Sequence, residues 1–224
     1  MGEMALGYGS EFHLLRWVGR HREKFNKKVY DLLGIDEITW LDFNFNKNKS
    51  IPDEEIRGID FLSNNKSIIN TFKNEWPQSG NLMNWDLIGY SKSSDTWILC
   101  EAKAHIGELR SDCKALSADS LNKINNSIKI TKEYFKIEND IDWTRQYYQF
   151  ANRLYSLGLL KRHGLNAFLL NIYFVGDIIE GNIRQSPQDK SEWDKEIKKM
   201  YETMGIGEDI KYVKNLFLGV YEEI

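Results

Sequence analysis

The chain has 224 residues, 42% hydrophobic and 28% charged, with 30 Lys and Arg set against 33 Asp and Glu for a formal net charge of -3. A chain of this length buries enough apolar surface to fold without disulfides or a structural metal. A balance this close to neutral excludes a protein that grips nucleic acid through bulk positive charge alone. Apolar runs such as Ala167–Leu170 and Ile172–Val175 fall far short of the ~18 residues that mark a membrane span. Met1–Leu6 carries neither a secretory nor a myristoylation pattern, so a cytoplasmic protein without membrane partners is expected. Cys100 and Cys113 form no disulfide framework and no CxxC pair, and His13, His21, His105 and His163 lack metal-ligand spacing and read as surface or helix residues.

Taken in chain order, Ser10–Leu33 predicts a helix stopped by Gly34, with Leu14, Leu15, Val18, Phe25, Val29, Leu32 and Leu33 on one face. Arg16, Arg20, Lys24 and Lys27 lie on the other. Glu37–Phe45 reads as a strand, Asn46–Gly58 as a polar loop, and Lys66–Glu75 as a short helix ending before Pro77. Asn84–Tyr90 and Thr96–Lys103 are apolar-rich runs around Ser91–Asp95, the pattern of a β-hairpin inside a sheet covered on both faces. Ala118–Lys136 and Asp142–His163 predict helices, Leu165–Val175 a buried strand, Ser191–Met204 a helix and Val213–Tyr221 a last strand. With no internal repeat and no linker, residues 1–224 are expected to form one α/β domain.

The hairpin concentrates the chemistry. Pairing Tyr90 with Trp97 places Asp86 opposite Glu101, and strand alternation puts Lys103 on the same face as Glu101 while Ala102 points away. Two facing carboxylates inside an apolar sheet repel each other unless a cation lies between them, which a divalent ion and the Lys103 ammonium can supply. The Glu-x-Lys spacing alone is uninformative, since Glu196/Lys198, Asp112/Lys114 and Asp209/Lys211 share it. Only Glu101-Ala102-Lys103 ends an apolar strand with an acid opposite. The bland alternative is an ion pair at a strand end leading into solvent.

Asn84-Trp85-Asp86-Leu87-Ile88-Gly89, followed by Ile98-Leu99-Cys100-Glu101-Ala102-Lys103-Ala104, resembles the PD-(D/E)XK nuclease superfamily, over a core of about Glu11 to Val175. Trp85 stands where the motif's name expects proline. The resemblance implies a restriction-endonuclease-like fold, a mixed central β-sheet flanked by helices on both faces. It implies a Mg²⁺-dependent nuclease, with Mn²⁺ as a substitute, hydrolysing phosphodiester bonds, and DNA rather than RNA is the expected substrate. Asp86 and Glu101 are then the metal ligands, with the Ala102 carbonyl as a further oxygen donor, and Lys103 positions the attacking water. Nucleases that cut both strands often pair two sites, so a homodimer is among the expected assemblies.

Four further positions and one acid complete the expected site. Glu11, within the apolar arc of the first helix, is the position that could add a carboxylate near the metal, although an acid in a first turn already complements the helix dipole. Gln146, Gln149, Asn152 and Arg153, with Arg145 and Ser156, form a polar arc on the Asp142–His163 helix, rich in amide and guanidinium groups suited to nucleic acid. An ordinary solvated helix face explains the arc equally well. Gln146–Phe150 also loosely resembles the glutamine motif that follows the lysine in exonuclease-like members. His105 and Glu108 lie just beyond Lys103, and Trp40, Phe43 and Phe61 read as core. The rival from another class is a binding or interaction module that keeps this fold without catalysis. A doubly wound small-molecule enzyme is disfavoured because Gly7-x-Gly9 follows no strand.

Overall fold

The computed structural model describes residues 9–41, 55–80, 82–178, 186–207 and 210–220. The expected strand beyond Leu41, including Phe43, and the loop up to residue 54 lie outside them. Where one long helix was expected, there are two, α1 (Ser10–Arg20) and α2 (Arg22–Leu33), broken at His21, whose φ of -124° and ψ of 33° leave the helical region. The break re-aims the second segment, so that Phe25 and Val29 join Leu14, Trp17 and Val18 in one core while Leu15 and Leu32 stay at the surface. Gly34 closes α2 at φ 67°, a conformation that costs glycine little.

The remaining elements are β1 (Ile38–Trp40), β2 (Ile56–Arg57), α3 (Lys66–Glu75), β3 (Asn84–Trp85), β4 (Leu87–Ser91), β5 (Thr96–Lys103), α4 (Ala118–Phe135), α5 (Tyr148–Arg162), β6 (Asn166–Val175), α6 (Lys190–Met204) and β7 (Val213–Gly219). Helix starts follow their caps: Asn65, Ser117 and Asp189 accept backbone N–H bonds from Ile68, Ser120 and Glu192. A mixed sheet of five strands runs β1-β4-β5-β6-β7, antiparallel as far as β5 and parallel from there on. β2 and β3 form a small separate antiparallel ladder.

Helices cover both faces of the sheet. Ile98, Cys100 and Ala102 of β5, with Leu170 and Ile172 of β6, face α1 and α2. Leu99 of β5 and Leu169 and Tyr173 of β6 belong to the opposite core, shared with α3 to α6. By strand alternation Glu101 and Lys103 lie on that second face. The hairpin has the predicted register, Tyr90 opposite Trp97 and Leu87 opposite Cys100.

The Asp142–His163 segment differs from its expected form. Residues 142–147 are non-helical, with Tyr147 in an isolated bridge to Ser111, and α5 begins only at Tyr148. Its residues from Phe150 to Leu160 are all buried, because one side lies on the sheet and the other against α3 and α4. Tyr155 stacks on Trp76 with centroids 4.6 Å apart, and Glu75 accepts bonds from Tyr155 and from both terminal nitrogens of Arg162. The polar arc is therefore not a solvated face: Asn152 and Arg153 are buried.

Candidate functional site

A bend at Asp86 separates β3 from β4, so the antiparallel ladder with β5 ends at Leu87 and Cys100. Trp85 holds the bend by donating its indole N–H to the Gly58 carbonyl at 2.8 Å. Beyond the ladder's end, the Asp86 carboxylate takes the place of a strand and accepts the Ala102 N–H at 2.6 Å. In extended chain the N–H and C=O of one residue share a side, so the Ala102 carbonyl also points toward this gap.

Glu101 is fully engaged. One carboxylate oxygen accepts from the Lys103 ammonium, and the other accepts from the Arg153 Nε at 2.6 Å. Lys103 in turn donates to the Gln149 side-chain carbonyl at 3.1 Å. Two residues of strand advance about 6.6 Å and four residues of helix about 6.0 Å. That match lets Gln149 and Arg153 of α5 meet Lys103 and Glu101 of β5 in step.

Arg153, 3% exposed, makes three further contacts: to the Asn84 carbonyl, to the Asn152 side chain at 2.8 Å, and over the Trp85 ring with its guanidinium carbon 4.7 Å from the centroid. It thus ties β5 to the segment immediately before Asp86. On the other side of Glu101, register places Asn171 of β6 next to it and Asn215 of β7 next to that. Asn171 is buried and donates to Asn215 at 3.0 Å. Between the sheet and α5 and α6 lies a cavity of about 20 Å³ lined by Glu101, Lys103, Gln149, Arg153, Asn171 and Tyr173, enough for a water molecule.

The two acids are pushed in opposite directions. Burial, reinforced by the neighbouring Glu101 charge, pushes Asp86 up to about 7 against the pull of Lys103, the Ala102 N–H and Arg153. Burial would also raise Glu101, but Arg153 and Lys103 outweigh it and hold that carboxyl below its usual range.

The structure brings together Asp86, Glu101, Lys103, Gln149 and Arg153. Glu11 is not among them. It is exposed on α1, which covers the opposite face of the sheet, and the buried side of that helix is His13, Leu14, Trp17 and Val18, with Glu11 at its edge. Gln146 is exposed on the turn before α5, its backbone N–H held by Asp112 at 2.8 Å. Asn152 and Arg153 turn inward, toward the acids. His13, read as a surface or helix residue, is a buried helix residue whose Nε2 lies 3.0 Å from Asp177. His105 and Glu108 form a cap, with Glu108 accepting from Ala104 N–H at 2.6 Å and from the Ser10 hydroxyl at 3.0 Å.

Asn171 and Asn215 were missed by sequence reasoning. The available signal was a lone amide inside the apolar strand Ala167–Val175. Arg153, expected among groups suited to nucleic acid, is buried and paired with Glu101, because the outer side of its helix is covered.

Two carboxylates and a carbonyl make a hard-oxygen donor set of the kind Mg²⁺ accepts, with water and phosphate filling its other positions. Asp86 is the acid here without a cation on it, whereas both Glu101 oxygens would be shared with Lys103 and Arg153. Among the described residues, no cluster of three or more His, Cys, Asp or Glu side chains could hold a metal. Comparison with family models, with curated proteins and with solved structures finds no match to this chain.

Proposed function

We propose that the protein is a metal-dependent phosphodiesterase of the PD-(D/E)XK kind on a restriction-endonuclease-like fold, hydrolysing DNA with Mg²⁺ or Mn²⁺. The observation that carries this reading is the convergence of Asp86, Glu101 and Lys103 at the end of an apolar strand, where the ladder opens at Asp86. Asp86, Glu101 and the Ala102 carbonyl would hold the ion. When bound, it supplies a water of lowered pKa and offsets charge developing on the phosphate. Lys103, fixed between Glu101 and Gln149, keeps its ammonium beside the acids, where it orients the attacking water and offsets phosphate charge. Burial of Glu101 and Lys103, with Asp86 half-buried beside them, limits screening of these interactions by bulk water.

The test is cleavage of single- and double-stranded DNA and RNA oligonucleotides with Mg²⁺ or Mn²⁺. Wild type is expected to cut DNA, and Glu101→Gln and Lys103→Ala each to lose at least about 100-fold in rate. A wild-type protein that cuts nothing and binds no divalent ion rejects the reading. The non-catalytic alternative, a nucleic-acid-binding or protein-interaction module on the same fold, is favoured by one observation: Lys103 and Arg153 already compensate Glu101 without any ion.

A further inference from the structure

We propose that Arg153 is a built-in counter-ion that makes divalent metal binding at Asp86 and Glu101 conditional on a bound phosphate backbone. This rests on the nuclease reading above and adds to it a role for a residue outside the resemblance's motif.

With both acids ionised, as metal ligation requires, Asp86 and Glu101 contribute two negative charges to the patch, and Lys103 and Arg153 contribute two positive ones. The ionised quartet sums to zero, and its members are the charges acting most strongly on the two acids. A divalent ion entering alone would leave a net charge of +2 in a largely buried site, which is costly unless anions accompany it. A nucleic-acid backbone brings those anions. Lys103 could be drawn toward an incoming phosphate, but Arg153 is not free to leave. It is held by Glu101, Asn152 and the Asn84 carbonyl, and lies on the Trp85 ring. It also occupies the Glu101 oxygen that Lys103 does not. Metal affinity should therefore be poor in the free protein and improve when phosphate is present, and by linkage nucleic-acid affinity should improve equally with metal.

Mn²⁺ affinity, measured by calorimetry on the full chain with and without a fully phosphorothioate-substituted DNA duplex, tests this. That duplex resists hydrolysis, and Mn²⁺ tolerates its sulfur. Wild type should bind Mn²⁺ at least about tenfold more tightly with the duplex. Arg153→Gln should bring that ratio close to one by tightening Mn²⁺ binding to the free protein. Arg153→Lys, which keeps the charge, should preserve the ratio even though it loses part of the hydrogen-bonding fork. A ratio near one in wild type overturns the proposal whether or not the variants fold, and so does a folded Arg153→Gln with the wild-type ratio. If wild type cleaves DNA while showing a ratio near one, the counter-ion role fails and the nuclease reading stands. If wild type neither cleaves nor binds Mn²⁺ in either state, both fail.

Discussion

Asp86 and Glu101 share one patch, yet their surroundings drive their proton affinities apart, and this has a measurable consequence. Asp86, pushed up to about 7, keeps a proton in the folded chain that it would lose in the unfolded one. Its contribution to stability is complete below the ordinary aspartate range, declines as pH rises, and is lost above about 7. In chelator, the melting temperature of wild type should fall between pH 5 and 8 more steeply than that of Asp86→Asn, which has no proton to lose. Equal slopes would show that Asp86 is not strained by its setting. Glu101 has the opposite arrangement: two cations hold its charge, so removing only Arg153 leaves the buried carboxylate with Lys103 as its remaining counter-ion, a change that costs up to about 3–5 kcal/mol.

Among the elements, β4 and β5 matter most, since the bend between β3 and β4 creates the opening at Asp86. β4 has to lie flat against β1, and Gly89 permits it: a Cβ there would sit 2.6 Å from the Trp40 ring and 2.9 Å from the Ile38 side chain. Trp40 is itself pinned by its indole N–H donating to Asn26 of α2 at 2.8 Å, so it has little room to yield. Gly89→Ala should therefore destabilise the protein by about 1–3 kcal/mol, the usual cost of overpacking, read as a lower denaturation midpoint with an unchanged slope. β4 to β7 were legible because apolar runs bounded by polar turns have few other solutions, whereas β2 lies within Asn46–Gly58, which reads as a loop, and pairs with β3 only through the fold. α5 was not, because a helix with amide and guanidinium groups on one side looks amphipathic until that side is covered.

For the whole molecule, the layering decides which charges count. The basic side chains of α1 and α2 belong to helices covering the sheet face opposite Glu101 and Lys103, and Arg16 is committed to the Val220 carbonyl. Lys24→Glu combined with Lys27→Glu should accordingly leave the Michaelis constant for DNA cleavage within about twofold, since these exposed charges lie on helices behind the opposite face of the sheet and are screened by salt; a larger rise would place the substrate across those helices. By itself the sequence determined the mixed helix and strand order and the hairpin register from Leu87 to Ser91 against Thr96 to Cys100, because alternation and turn spacing are local and leave a two-strand register little freedom; the expected Asp86–Glu101 pair is not formed, since the chain bends at Asp86 and its carboxylate takes the Ala102 N–H instead. Only the tertiary structure decided that Glu11 stays at the surface, that Asn171 and Asn215 continue the polar row, and that Arg153 and Gln149 close over the acids. Those contacts depend on which face of the sheet each helix covers, and burial on that scale is set by the packing of distant segments rather than by any pattern within one of them.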